Sequence, residues 1–193
     1  MMLHNLVVLG DENVGKIELA MKLCPNQCIQ PSTADLIREQ AVVDDEPCVL
    51  EILVTAGLEQ YTTVRDMWIR DGEGFLLVYS VTSRKTFESI RKYRDQILRI
   101  RSESDRPTPL MIVGNNCDRI VEREVSREEA FLLAREFDCD LIDTSHRTDV
   151  NVQRAFYEVV RMIRASQNGI LWQPRWKEQD KERKTKRQRC SIQ

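Results

Sequence analysis

The order of apolar runs along the chain predicts an α/β fold: a six-stranded, mostly parallel sheet with one antiparallel strand and helices on both faces. Three observations carry this expectation. Short apolar runs alternate with segments of helical periodicity, the first run ends on a glycine loop that opens a helix, and a turn cluster separates the second and third runs as a hairpin requires.

The elements follow in order. Leu6-Val7-Val8-Leu9 reads as the first strand, closed by Gly10, and Lys16 to Leu23 repeats its apolar residues at helical spacing. Ala41-Val42-Val43 and Cys48 to Leu53 flank Asp44-Asp45-Glu46-Pro47 and read as the antiparallel pair. Gly74 to Tyr79 and Leu110 to Val113 are continuous apolar runs, as strands covered on both faces must be, and Leu141-Ile142 gives a sixth, short strand. Between them lie amphipathic patterns at Phe87 to Ile100, Ser126 to Phe137 and Val152 to Ile163, the second opened by a capping box, Ser126-Arg127-Glu128-Glu129. In such a sheet ligands bind at the carboxyl ends of the strands, so the informative loops follow Leu9, Leu53, Val113 and Ile142.

The 193 residues suit one domain and a tail, placed at residues 1–166 and 167–193. Hydrophobic residues make up 41% and charged residues 31%, a globular composition, and the formal net charge of -2 names no partner. No apolar run approaches the roughly eighteen residues of a membrane span, and the start lacks a basic region followed by an apolar signal core. The six cysteines lack a paired metal-ligand spacing and read as reduced thiols.

Gly10-Asp11-Glu12-Asn13-Val14-Gly15-Lys16-Ile17 fits the G-x-x-x-x-G-K part of a P-loop, between a strand and a helix as that motif requires. Its glycines let backbone N–H groups and the helix N-terminus face phosphate oxygens, and Lys16 brings a mobile cation. Ile17 breaks the pattern, since the motif closes on a hydroxyl that ligates Mg²⁺. Phosphate binding is expected and tight Mg²⁺ binding is not.

From these loops the chain resembles the Ras family of small GTPases over roughly residues 1–166. Asp66 to Ser80 is similar to the Ras chain in the same place. Val54-Thr55-Ala56-Gly57-Leu58-Glu59 stands where the family writes D-T-A-G-Q-E, Asn115-Asn116-Cys117-Asp118 where it writes N-K-C-D, and Asp143-Thr144-Ser145-His146-Arg147 where it writes E-T-S-A-K. The resemblance implies a Ras-like P-loop domain that binds GTP and GDP through Gly10, Asn13, Val14, Gly15, Lys16, Ser32, Gly57, Asn115, Asn116, Asp118, Ser145 and His146. Asp118 would accept from the guanine N1–H and exocyclic amine, a donor pair adenine lacks, while Asn115 supports the base and the neighbouring loop. Ser145 and His146 would offer backbone N–H groups to the guanine oxygen. Asn116 replaces the lysine whose stem would cover the base, and the segment from Cys24 to Ser32 is too short to bring the aromatic expected on the other side.

The departures fall on the chemistry. Leu58 takes the place of the glutamine that orients the attacking water, and Val54 that of an aspartate on the magnesium side. With Ile17 this leaves the Mg²⁺ positions degraded, Ser32 being the chosen γ-phosphate and metal sensor and Thr33 the other available hydroxyl. Glu12 stands where the family needs its smallest side chain to admit an activating arginine, and Asp11 adds a second carboxylate. At about 5 Å and an effective dielectric near 20, each such charge would repel a phosphate charge by roughly 3 kcal/mol, less if it turns to solvent. No intact catalytic group remains, so hydrolysis is expected to be slow or lost.

The tail loses periodicity after Gln167 and ends in Cys190-Ser191-Ile192-Gln193, a C-a-a-X box with Cys190 as the prenylation site. One prenyl chain needs a second signal, and Lys181, Arg183, Lys184, Lys186, Arg187 and Arg189 supply it at about 1 kcal/mol each against anionic lipid. The competing reading of the basic run, a nuclear-localisation or nucleic-acid patch, is weakened by the adjacent cysteine. The sequence therefore points to a monomeric guanine-nucleotide-binding signalling protein, lipid-anchored on the cytoplasmic face of the plasma or another membrane, with effectors unnamed and no nucleic-acid partner. Its alternative is a nucleotide-independent pseudo-GTPase acting as a membrane-tethered binding module.

Overall fold

A computed structural model describes residues 1–24, 34–55, 62–102 and 107–177. Its elements are β1 (Met2–Leu9), α1 (Lys16–Leu23), β2 (Ala34–Val43), β3 (Glu46–Thr55), α2 (Thr62–Asp71), β4 (Gly74–Ser80), α3 (Arg84–Glu88), α4 (Ile90–Ile100), β5 (Leu110–Asn115), a 3₁₀ turn at Ile120–Glu122, α5 (Arg127–Phe137), β6 (Asp140–Asp143) and α6 (Val152–Gln167). The strands form one six-stranded sheet in the order β2-β3-β1-β4-β5-β6, with only the β2–β3 pair antiparallel. The α/β expectation holds in class, strand number and the single antiparallel pair.

The sheet is apolar on both faces because its central strands place alternate residues on opposite sides. Leu6, Val8, Leu76, Val78 and Val113 face Leu19 and Ala20 of α1 and Ala155, Phe156, Val159 and Ile163 of α6. Val7, Leu9, Phe75, Leu77, Tyr79 and Ile112 face Ile69 of α2, Ile97 of α4 and Leu133 and Ala134 of α5. A one-residue slip in β1 would exchange the two faces, so the register with β3 and β4 is fixed by packing.

The hairpin turns on two residues, Asp44 and Asp45, both at positive φ, as a tight twisted loop demands. The expected four-residue turn is therefore shorter, and Pro47 lies inside β3 opposite Val42. It is tolerated there because β1 begins to pair only at Cys48. The helix expected from Phe87 starts at Arg84 instead and divides at Ser89, whose hydroxyl donates back to the Lys85 carbonyl at 3.1 Å. The capping box of α5 forms in both directions: Glu129 N–H donates to Ser126 Oγ at 3.2 Å and Ser126 N–H to Glu129 Oε2 at 3.0 Å.

Residues beyond Gln167 do not leave the domain at once. Trp172 Nε1–H donates to Asp140 Oδ2 at 2.9 Å, the Arg175 N–H to Asp140 Oδ1 at 2.8 Å and Trp176 Nε1–H to the Cys139 carbonyl at 3.2 Å, while Lys177 pairs with Asp138. Through residue 177 the segment that the sequence reading gives to the tail is a strap on the β6 edge. The signal was in the two indoles, whose N–H groups need partners when packed.

Candidate functional site

The carboxyl ends of β1, β4, β5 and β6 align across the sheet, Leu9 beside Leu77, Ser80 beside Asn115 and Gly114 beside Asp143. The loops that follow therefore meet along one edge. After β1 the chain curls through Gly10 and Gly15, where side chains are excluded: a Cβ on Gly10 would lie 2.2 Å from the Val78 carbonyl oxygen, and one on Gly15 2.3 Å from Asn115 Nδ2. Asn13 completes the curl at positive φ with its side chain exposed.

Lys16 is buried beneath this loop. Its ammonium donates to the Gly10 carbonyl at 2.9 Å and the Asp11 carbonyl at 2.5 Å, which aims it under the loop that would cradle phosphate. Burial pushes its pKa down to about 8, while the carboxylates of Asp11 and Glu12 act in the opposite direction. The two acidic side chains behave differently. Glu12 is exposed, whereas Asp11 Oδ1 accepts from the Tyr93 hydroxyl of α4 at 2.8 Å, and the Arg65 guanidinium lies 5.8 Å from the Tyr93 ring centre. The charge expected to crowd the loop has a partner outside it.

The corner expected to read the base is held by side-chain hydrogen bonds. Asn115 has no solvent exposure; its Nδ2 donates to the Val14 carbonyl at 2.8 Å and its Oδ1 accepts from the Thr144 hydroxyl at 3.2 Å. Asp118 Oδ1 accepts from the Ser145 hydroxyl at 2.7 Å, the main reason its carboxyl sits below the usual range. Ser145 itself is pinned by reciprocal backbone bonds with Val150, both at 3.1 Å. That committed N–H corrects the expectation that Ser145 offers its backbone to the base: the residue holds Asp118 through its hydroxyl. The His146 side chain places Nδ1 3.1 Å from Asn115 Nδ2. Asn116, at positive φ, turns away and donates to Ser80 Oγ at 2.9 Å, bracing the loop after β4 instead of covering a base.

At two positions expected on the metal side the side chains are apolar. Ile17 packs against the core beside α6, and Val54 is buried in the same cluster, opposite Val8. Neither offers an oxygen, so these two positions do not fit Mg²⁺. Ser32, Thr33, Gly57, Leu58 and Cys190 lie outside the described residues, as does the basic run 181–189. Among the described residues no cluster of His, Cys, Asp and Glu could hold a metal ion, and Cys24, Cys48, Cys117 and Cys139 are free thiols. Among the described residues no helix is long and apolar enough to cross a membrane.

Sequence reasoning named Gly10, Gly15, Lys16, Asn115 and Asp118, which the structure places along one sheet edge, and gave no role to two groups that contact Asn115 and Asp11. Thr144 lay inside a motif it quoted but had no assigned partner. Tyr93 gave no signal, standing 82 positions from Asp11 in the chain.

Comparison with known proteins agrees with this geometry. The Ras family model, described as "Ras family", matches residues 5–165. The chain is 44% identical over 181 residues to Ras-like protein 1 of Pyricularia oryzae, covering 84% of this chain and 75% of that protein. It is 44% identical to Protein ras-2 of Neurospora crassa (84% and 80%) and 43% identical to Ras-like protein B of Aspergillus fumigatus (85% and 79%). With the strand order, the P-loop lysine and the Asn115–Asp118 corner all in place, and with similarity running nearly the length of the domain, the chain belongs to the Ras family of small GTPases.

Proposed function

We propose that this Ras-family protein is a membrane-anchored guanine-nucleotide switch whose GTP-bound form is long-lived because hydrolysis is slow. The observation that carries the nucleotide reading is the base corner: Asn115 locked to Val14 and Thr144, and Asp118 oriented by Ser145, form an acceptor site matched to the paired donors of guanine. Lys16, held under the P-loop by two carbonyls, has a remaining N–H for phosphate.

Slow turnover is supported by what the other end lacks. Leu58 has no group to orient water, Ile17 and Val54 have no oxygen, and Glu12 adds charge and bulk at the mouth of the loop. The apolar packing of Ile17 and Val54 also favours a second reading, a pseudo-GTPase that recruits partners regardless of nucleotide. Anchoring rests on Cys190 in its C-a-a-X box and the six basic residues before it.

Titration of the nucleotide-stripped protein with fluorescent GDP and GTP, with and without Mg²⁺ and with ATP as competitor, tests the reading. Guanine-selective binding at micromolar affinity or better, little changed by chelation, and single-turnover hydrolysis slower than in Ras-like relatives are expected. No binding at high micromolar nucleotide would leave the binding-module reading. The mass of the mature protein tests the anchor, which fails if Cys190-Ser191-Ile192-Gln193 persists unmodified in a prenylating cell.

A further inference from the structure

Every polar atom of the Asn115 amide is engaged. The Thr144 hydroxyl donates to Oδ1, which fixes the oxygen end of the amide; of the two Nδ2 hydrogens, one goes to the Val14 carbonyl and the other to His146 Nδ1. An amide nitrogen in this network only donates, so Nδ1 is the accepting nitrogen and the ring proton sits on Nε2. The imidazole also lies against the end of the P-loop, its Nδ1 and Cε1 3.3 and 3.4 Å from where a Cβ on Gly15 would be. It fills the corner between the loop and Asn115 while staying partly exposed at the rim.

On the guanine-binding reading, the base takes that corner. A guanine that sets its N1–H and amine edge on Asp118 and its oxygen toward the His146 N–H turns N7, the next acceptor around the ring system, toward Asn115. N7 of a purine and Nδ1 of this histidine are alike: an in-plane lone pair on an imidazole ring. Asn115 has one spare hydrogen and both acceptors compete for it.

We propose that His146 is an intramolecular gate on the base site, its imidazole standing in for that of guanine on Asn115 Nδ2 and rotating out before nucleotide enters. The proposal rests on the guanine-binding reading above. The gate requires only side-chain rotation at a partly exposed position, so the loop pinned by Ser145 and Val150 need not move. It lowers apparent affinity by the fraction of time the corner is open and acts on entry of nucleotide more than on its escape.

The test is stopped-flow binding of a fluorescent N-methylanthraniloyl GDP to the full-length, nucleotide-stripped chain and to its His146→Ala variant. Removing one neutral hydrogen bond should raise the association rate about fivefold and leave the dissociation rate unchanged. If His146 merely supports the loop, the variant releases nucleotide faster without binding it faster, and the gate is overturned; an unchanged or slower association also overturns it. Binding by the variant alone would support the gate while removing the guanine-binding reading for the native chain. Binding by neither would remove both.

Discussion

The two ends of the nucleotide cleft are built from opposite materials. At the base end, Asn115, Thr144 and Ser145 are buried and hydrogen-bonded, and the partly exposed Asp118 accepts from the Ser145 hydroxyl. At the metal end, Ile17 and Val54 join the apolar core, and the nearby acidic side chains either face solvent, as Glu12 does, or are held from outside, as Asp11 is by Tyr93. Recognition of a base needs pre-set donors and acceptors; turnover needs a metal and an oriented water. This chain has polar side chains at positions of the first set and apolar ones at Ile17 and Val54 of the second, so on the proposed reading affinity and catalysis are separable.

The sharpest way to break the comparison is Asp118→Ala. The carboxylate is expected to accept two charge-assisted bonds from guanine, each worth about 1.5–3 kcal/mol, so their loss should weaken GDP binding by about a hundredfold or more. Competition between fluorescent GDP and unlabelled GDP or ATP measures it. A loss below about tenfold would mean that the base end does not hold the ligand. The fold should survive, because Asp118 lies in a loop and outside both apolar clusters.

A smaller effect is expected at the phosphate end from Tyr93→Phe, which frees the Asp11 carboxylate. Released from its hydroxyl donor, that charge can swing toward the phosphates, and the Kd for GTP should rise about threefold to tenfold. In an Asp11→Ala background the same substitution should have no effect on nucleotide, since there is no charge left to hold. A loss that persists in that background would make Tyr93 a brace between the P-loop and α4 and leave Asp11 uncompensated. The double-mutant cycle separates these outcomes without reference to hydrolysis.

The sequence carried most of this architecture because the signals were local. Alternating apolar runs, Gly10 and Gly15 around the P-loop, and Ser126 with Glu129 are read within a few residues of one another, and each forms the element it implies. Contacts joining distant positions were illegible: Asp11 with Tyr93, Asn116 with Ser80, Trp172 with Asp140. Ser145 shows the intermediate case. Its motif named the residue, but only the pairing with Val150 shows that its N–H is spent and its hydroxyl is the working group.

His4 offers the smallest test and the cleanest contrast with Asn115. Both are fully buried, yet every amide atom of Asn115 is paired, while both ring nitrogens of His4 in β1 lack a hydrogen-bond partner. Burial lowers the His4 pKa, opposed by Glu73 and assisted by Arg164. The unfolded chain therefore takes up the proton first, at about pH 6.5, and stability rises with pH through the window between the folded value and about 6.5. The contribution is complete above that window and is lost as pH falls through it. His4→Leu keeps the apolar volume, removes two unpaired nitrogens and should flatten this part of the stability–pH curve, with a gain of about 1 kcal/mol at pH 6 by denaturant unfolding. An unchanged slope would show that His4 finds a partner in solution. The contrast with the base corner would then rest on Asn5 Oδ1 of β1 and the Tyr79 hydroxyl of β4, which are also buried without a partner.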